Sequence, residues 1–263
     1  MITSPQNTQV KNIIKLNQKA KARREQGLFV AEGRKMFLEA PTDWVEKVYV
    51  AQSMEEDETV MQKARGLDWE LVADPVFRQM SDTQTPQGVL TVLRQPAYNM
   101  EVFLKKENPL FVVLEDLQDP GNAGTIFRTG EGAGVDGVFL TRTSVDITNP
   151  KVIRATMGSI YRMPFLYVES VVSLKKKLQD RGIRFFAAHL HGKNVYHEEA
   201  YRGGTAFLIG NEGKGLTEEA SAAADCLIRI PMCGQVESLN AAMAAGILMY
   251  EALRQRGEQK GGN

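Results

Sequence analysis

The sequence predicts an α/β protein in two parts: a small α/β sandwich, then an open parallel sheet with helices on both faces. Three observations carry this. Strand-like and helix-like segments alternate along most of the chain. Leu110–Leu114 is an unbroken apolar run, as a strand buried on both faces requires. Between the parts, Arg94-Gln95-Pro96-Ala97-Tyr98-Asn99 and Pro109 interrupt the pattern with turn-forming residues. The expected division is a first domain over 1–95, a linker over 96–109, a second domain over 110–257 and a disordered polar tail over 258–263.

In the first part, residues 7–24 read as a helix, with Val10, Ile13, Ile14 and Leu16 as its apolar stripe. Gly27 ends it. Leu28–Val30 reads as a strand, Gly33–Ala40 as a helix, Val45–Val50 as a strand and 54–65 as a helix. Trp69–Val72 is a strand, 75–80 a short helix and Gly88–Leu93 a last strand. Met100–Glu107 forms one helical turn within the linker. In the second part, strands are expected at Leu110–Leu114, Gly137–Leu140, Phe165–Val168, Arg184–Ala188, Thr205–Ile209 and Cys226–Ile230. Helices are expected at 122–133, 150–157, 171–181, 217–223 and Leu239–Arg256. Ligands of such a sheet sit beyond the carboxyl ends of its strands.

Composition narrows the function classes. The chain has 263 residues, 43% of them apolar, enough for a real core. No apolar run approaches the roughly 18–20 residues of a membrane span, and the first residues lack the pattern of a signal peptide. A soluble, cytoplasmic protein is expected. Cys226 and Cys233 fit a reducing compartment, as two buried or half-buried thiols rather than a disulfide. Net charge is zero, but Lys11, Lys15, Lys19, Lys21, Arg23, Arg24, Arg34 and Lys35 crowd the front against only Glu25 and Glu32. That segment is either a positive patch for nucleic acid or a solvated helix face.

Three segments carry candidate chemistry. In Leu114 to Arg128, a buried strand runs through Pro120-Gly121 into a helix. Asn122 sits at or near its N-cap, and Arg128 lies under two turns further on. Arg128 could hold a phosphate bidentately. In Phe207 to Leu216, an apolar strand enters a loop with Gly210, Gly213 and Gly215, which let backbone approach a ligand closely. Glu212 is its only acid. In Ile228 to Asn240, a strand ends at Pro231, and Ser238 and Asn240 open a helix that Ser238 might simply cap. Small residues Ala241, Ala242, Ala244, Ala245 and Gly246 let that helix pack closely. Its Ile247, Leu248, Tyr250 and Leu253 leave apolar surface for a second partner.

Together these segments resemble the signature motifs of the SpoU/TrmH family of RNA methyltransferases. The matching residues are Asn122-x-Gly124-x-x-x-Arg128, Gly210-Asn211-Glu212-Gly213-x-Gly215, and Ile230-Pro231-Met232 leading to Ser238-Leu239-Asn240. Val152 to Gly158 resembles a further family segment. Asn12–Glu39 and Ser81–Leu90 resemble the ribosomal-protein-like substrate-binding domain that many members carry.

The resemblance implies a trefoil-knotted catalytic domain, the knot made by the chain after about Thr205. It also implies a pocket for S-adenosylmethionine, transfer of its methyl group to a ribose 2′-hydroxyl of RNA, and a homodimer through the C-terminal helix. By resemblance the cofactor is held at Gly210, Ile230 and Leu239, and His189, at a strand end, is placed to line the same cleft. Arg128 is assigned to the reaction with Asn122, Glu212, Ser238 and Asn240 around it. An arginine base is physically awkward because the guanidinium stays protonated at neutral pH, so two readings remain: Arg128 acts as base with a nearby RNA phosphate lowering the barrier to proton loss, or Arg128 mainly anchors that phosphate. Ribosomal RNA is favoured as substrate, with transfer RNA as the alternative. A non-catalytic RNA-binding assembly factor and a base-nitrogen methyltransferase of the same fold are the rival readings.

Other patterns point elsewhere and are set aside. Gly132-Ala-Gly134-Val-Asp-Gly137 satisfies GxGxxG, but a helix precedes it and a strand follows, the reverse of a dinucleotide site. Lys214 is followed by Gly215, not by the Ser or Thr of a P-loop. His189, His191 and His197 have no cysteine or carboxylate at ligand spacing, and no metal is expected.

Overall fold

The structure is a computed structural model, and it describes residues Met1–Gly257. The expected tail, 258–263, lies outside the described residues. By contact the chain forms two compact units: Met1–Ala97 with Asp146–Tyr161, and Tyr98–Val145 with the chain from Arg162 onward.

The first unit opens with α1 (Thr8–Gln18) and α2 (Ala20–Gln26). The single helix expected over 7–24 breaks at Lys19, whose extended backbone caps one helix and starts the next. Gly27 then closes α2 in the left-handed region, at φ 64°. There follow β1 (Leu28–Glu32), α3 (Arg34–Glu39), β2 (Val45–Ala51), α4 (Glu58–Ala64), β3 (Trp69–Val72), α5 (Asp74–Met80) and β4 (Val89–Arg94). The sheet order is β1-β4-β2-β3, with β2 and β3 parallel and the other pairs antiparallel. Successive residues of β2 feed opposite cores, as strand geometry demands. Tyr49 and Ala51 pack with Val10, Ile13, Leu16 and Phe77. Val48 and Val50 pack with Phe37, Val60 and Met61. The result is the expected sandwich.

The second unit begins with α6 (Met100–Phe103), β5 (Leu110–Leu114), α7 (Pro120–Gly132) and β6 (Gly137–Thr141). Next comes α8 (Pro150–Thr156), which belongs to the first unit and packs on β1. A single division near 96–109 therefore does not describe the segment 146–161. Its Ile147, Val152, Ile153, Ile160 and Tyr161 are all buried, and the buried Arg23 donates to Asp146 at 2.7 Å. The chain returns to the second unit with β7 (Phe165–Val168), α9 (Val171–Leu178), β8 (Arg184–Ala188), β9 (Asn194–Val195), β10 (Thr205–Ile209), α10 (Glu218–Ala223), β11 (Cys226–Arg229) and α11 (Ala241–Gly257). Only β9, a pair of residues, was absent from the sequence reading of strands.

These seven strands form one sheet in the order β7-β6-β5-β10-β8-β11-β9, every pair parallel. Phe111 and Val113 of β5 pack on one face with Phe139, Leu174 and Phe185. Its alternate residues, Val112 and Leu114, are equally buried on the other face, where α11 covers α7 and β10. Each such side chain contributes about 1.5–3 kcal/mol by leaving water. The consequence for function is positional: β5, β10, β8 and β11 are neighbours, so the loops leaving their carboxyl ends lie side by side.

Candidate active site

The loop after β5 starts with a constrained turn. Asp116 is left-handed at φ 53°, a region that Asp and Asn tolerate better than most side chains. Its N–H donates to Thr141 Oγ1 at 2.9 Å, and its carbonyl accepts from Asn211 Nδ2 at 2.9 Å. Asp119 then caps α7, its side chain accepting from the N–H of Asn122 at 2.7 Å. Pro120, read from sequence as part of a turn, is instead the first helical residue, where its missing N–H costs nothing. Asn122 is therefore not the N-cap. It is buried inside the first turn, and its amide is left available for another task.

That task is visible in the next loop. Asn122 Nδ2 donates to Glu212 Oε1 at 3.1 Å, and Asn122 Oδ1 accepts from Asn240 Nδ2 at 2.8 Å. Glu212 also accepts from the N–H groups of Gln118 at 3.1 Å and Asp119 at 2.9 Å. Partial burial pushes its carboxyl up, but the hydrogen bonds from Asn122, Asp119 and Gln118 outweigh this and hold it below its ordinary 4.5. Glu212 thus stays ionised at neutral pH. Three of the residues singled out by motif, one from each of the three segments, form one hydrogen-bonded chain.

The Gly210–Gly215 loop is built to hold Glu212 still. The N–H of Asn211 donates to the carbonyl of Gly215 at 3.0 Å, and the N–H of Gly215 donates back at 2.9 Å. The Asn211 side chain accepts from Gly213 and Lys214 at 2.9 and 3.0 Å. A Cβ on Gly210 would lie 2.2 Å from the Gly215 carbonyl carbon, so glycine is required there. Glu115 holds the far end by accepting from the N–H and hydroxyl of Thr217 at 2.8 and 2.9 Å. The sequence named Asn211 only as part of the family motif, with no role, and did not single out Glu115. The Asn-x-Gly pattern after Gly210 signals a side-chain-organised turn, whereas Glu115 gave no local signal.

The third loop, after β11, is open. Ser238 is exposed and makes no hydrogen bond among the described residues. Asn240, not Ser238, caps α11, its Oδ1 accepting from Ala242 at 2.9 Å. Cys233 is exposed and Cys226 half-buried, so the expectation of burial fails for Cys233; both thiols are free. Arg128 is exposed on α7 and has no ion pair or hydrogen bond among the described residues. His189 follows β8, and its N–H donates to the carbonyl of Ile228 at 2.9 Å, tying this loop to β11. No group of three or more His, Cys, Asp or Glu able to hold a metal occurs among the described residues. Nor is any helix there long and apolar enough to cross a membrane.

The loops after β8 and β11 carry aliphatic side chains. Ile230, Met232 and Leu239 are half-buried, and Leu190 and Val236 stand exposed at 62% and 61%. A Cβ on Gly192 would lie 2.7 Å from the Ile228 carbonyl carbon, so these loops approach through bare backbone.

Residues 109–250 match the model of the SpoU rRNA Methylase family, and residues 7–91 match that of the MRM3-like substrate binding domain. The chain is 34% identical to an uncharacterized tRNA/rRNA methyltransferase of Synechocystis, covering 97% of this chain and 94% of that protein. It is 30% identical to the 23S rRNA (guanosine(2553)-2′-O)-methyltransferase RlmP of Bacillus subtilis, covering 95% and 97%. Among solved structures, an AdoMet-bound rRNA methyltransferase from Sinorhizobium meliloti matches with a TM-score of 0.87 at 32% identity, covering 96% and 97%. The SpoU methyltransferase AviRb from Streptomyces viridochromogenes, in complex with AdoMet, matches with a TM-score of 0.87 at 27% identity, covering 95% and 98%.

Proposed function

The chain belongs to the SpoU rRNA methylase family, and from that premise we propose that it methylates a ribose 2′-hydroxyl of ribosomal RNA. The observation that carries the reading is the Glu212–Asn122–Asn240 chain, with the unpaired Arg128 on the same helix as Asn122. S-adenosylmethionine, when bound, supplies an electrophilic methyl group on sulfur. Backbone groups at Gly210, Ile230 and Leu239 would hold it, with His189 beside them.

The protein's own residues divide the remaining work. A ribose hydroxyl is a weak nucleophile, so orientation and help with proton loss matter most. Arg128 holds a phosphate of the target nucleotide, which fixes the hydroxyl and offers its proton an acceptor. Glu212 positions Asn122 and the Gln118–Asp119 turn. Asn122 and Asn240 present amides whose directions are already fixed. The free hydroxyl of Ser238 faces solvent, ready for a ligand.

The wider reading assigns RNA gripping to residues 1–95, linkage to 96–109 and catalysis to 110–257. It is supported for the front by exposed Lys11, Lys15, Lys19 and Arg24, which have no ion pair among the described residues. Arg23 does not join that patch, being 2% exposed and spent on Asp146. The trefoil knot belongs to this reading too. In its support, β10 lies between β5 and β8 although it follows both, and α11 returns from β11 to α7. Met243, Tyr250 and Leu253, exposed at 55%, 51% and 39% along α11, suit a second copy of the chain; a monomeric mass by light scattering would remove that part. The reaction's place is the cytoplasm, where its substrate is.

The test is to map 2′-O-methyl positions across total RNA from cells with and without the gene. A lost ribosomal position is expected. No change anywhere, or purified protein that fails to bind S-adenosylmethionine, would favour a non-catalytic RNA-binding role.

A further inference from the structure

We propose that Arg142 and Lys214 hold the RNA phosphates that flank the target nucleotide, in addition to the phosphate assigned to Arg128. This rests on the RNA-methylating reading above.

Arg142 directly follows β6, the neighbour of β5, and its chain position is fixed from both sides. Before it, Thr141 Oγ1 accepts from the N–H of Asp116 at 2.9 Å. After it, the carbonyl of Thr143 accepts from Gln118 Nε2 at 2.7 Å. The N–H of that same Gln118 donates to Glu212 at 3.1 Å. Lys214 lies two residues beyond Glu212, and its N–H is held by Asn211 Oδ1 at 3.0 Å. Both backbones are therefore anchored to the turn and loop that carry the Glu212–Asn122–Asn240 chain.

Their side chains do the opposite. Both residues are exposed, and neither side chain makes an ion pair or hydrogen bond among the described residues. Arg34, Arg94, Arg154 and Arg184 each hold a carboxylate, whereas Arg142, like Arg24 and Arg128, holds none among the described residues. The carboxylates around Arg142 and Lys214 are engaged inward: Glu115 with Thr217, Asp116 with Gln118, Asp119 with the N–H of Asn122, and Glu212 with backbone. With four acidic residues beside two basic ones, the edge is not strongly positive in sum. At least one oxygen of each carboxylate accepts a hydrogen bond from the protein, while the two exposed cations have no partner among the described residues and are free to meet a phosphate.

A pinned backbone with a free long cation is the form a phosphate contact takes when register matters. The planar guanidinium of Arg142 grips two phosphate oxygens at once, whereas Lys214 acts as a point charge. Because Lys214 shares a rigid loop with Glu212, a phosphate held there sits at a set distance from the reacting hydroxyl. A cofactor carboxylate is the other anion that suits these groups, and the experiment separates the two.

The experiment uses full-length Arg142→Ala, Lys214→Ala and Arg142→Lys. RNA affinity is measured with a short single-stranded RNA oligonucleotide across a series of salt concentrations, and S-adenosylmethionine affinity by calorimetry. Each alanine variant is expected to weaken RNA binding about fivefold near physiological salt and to flatten the log–log salt slope by about 0.7. Arg142→Lys restores the slope but only part of the affinity. S-adenosylmethionine affinity and the thermal midpoint stay unchanged, because both side chains are on the surface. Unchanged salt slopes would overturn the proposal, as would no RNA binding by the unaltered protein. Loss of S-adenosylmethionine affinity would overturn it too, moving the two cations to the cofactor's carboxylate. Failure of the underlying reading looks different: the unaltered protein binds RNA but transfers no methyl group.

Discussion

Two loops on the same edge of the sheet solve opposite problems. The loop over 210–217 is determined before any ligand arrives. Asn211 bonds to three other residues through its side chain, Glu115 bonds to Thr217 twice, and Glu212 meets two backbone N–H groups and the Asn122 amide. The loop over 230–240 presents Ser238, Val236 and Cys233 to solvent, and among the described residues its side-chain link to the first runs through Asn122, which meets both Asn240 and Glu212. The difference teaches how the site divides its tasks. Charge and amide directions are fixed in advance, where reorganisation would cost rate. Groups that face a ligand are left unspent.

The sharpest way to break the closed loop is Gly210→Ala. The added carbon meets backbone atoms at 2.2, 2.3 and 2.5 Å, and none belongs to a side chain that could move aside. Destabilisation of about 3 kcal/mol is expected from denaturant midpoints, together with loss of S-adenosylmethionine binding.

Asn240→Ala cuts the link that runs between the loops through Asn122. It removes the cap of α11 and the hydrogen bond to Asn122. A loss of about 1–2 kcal/mol is expected by thermal unfolding, with turnover falling more than cofactor affinity.

Glu212→Gln tests whether the closed loop depends on an ionised carboxylate. The carboxyl of Glu212 is held below its ordinary 4.5 in the folded protein. Its contribution is therefore present above that value and lost as pH falls through the lower folded value. Solvent screening keeps the effect small. Stability measured as pH falls from about 6 to well below 4.5 should drop less steeply in the variant than in the unaltered protein.

Ser238→Ala should do least to the fold. The hydroxyl has no partner among the described residues, so stability should change by under about 0.5 kcal/mol. Turnover should nonetheless drop, because the open loop meets the ligand. An unfolding shift as large as that of Asn240→Ala would mean that this loop is braced like its neighbour.

The same contrast explains what could be read from the residues. Strands such as Leu110–Leu114 and Thr205–Ile209 were legible to the residue because burial on both faces leaves an unbroken apolar run. Asn194–Val195 was not, since two residues at a sheet edge carry no periodicity. The site was legible as three segments, but their internal wiring was not. Asn122 and Ser238 both looked like helix caps by residue type. Asp119 and Asn240 fill those places, because Pro120 starts α7 earlier and Asn240 lies directly before α11. Arg23 looked like surface charge within a basic run, and only long-range packing buries it against Asp146. Spacing along a chain reports neighbours on an element; it does not report a partner 90 residues away, as Glu212 is to Asn122.

The central claim is methyl transfer to ribose with Arg128 serving the RNA. The direct measurement combines purified protein, S-adenosylmethionine carrying a labelled methyl group, and ribosomal RNA digested to nucleosides afterwards. The label should appear in a 2′-O-methyl nucleoside. With Arg128→Ala it should fall by about 10²–10³-fold, while calorimetry shows S-adenosylmethionine still bound. Label on a base, or loss of cofactor binding in a folded Arg128→Ala protein, would contradict the account.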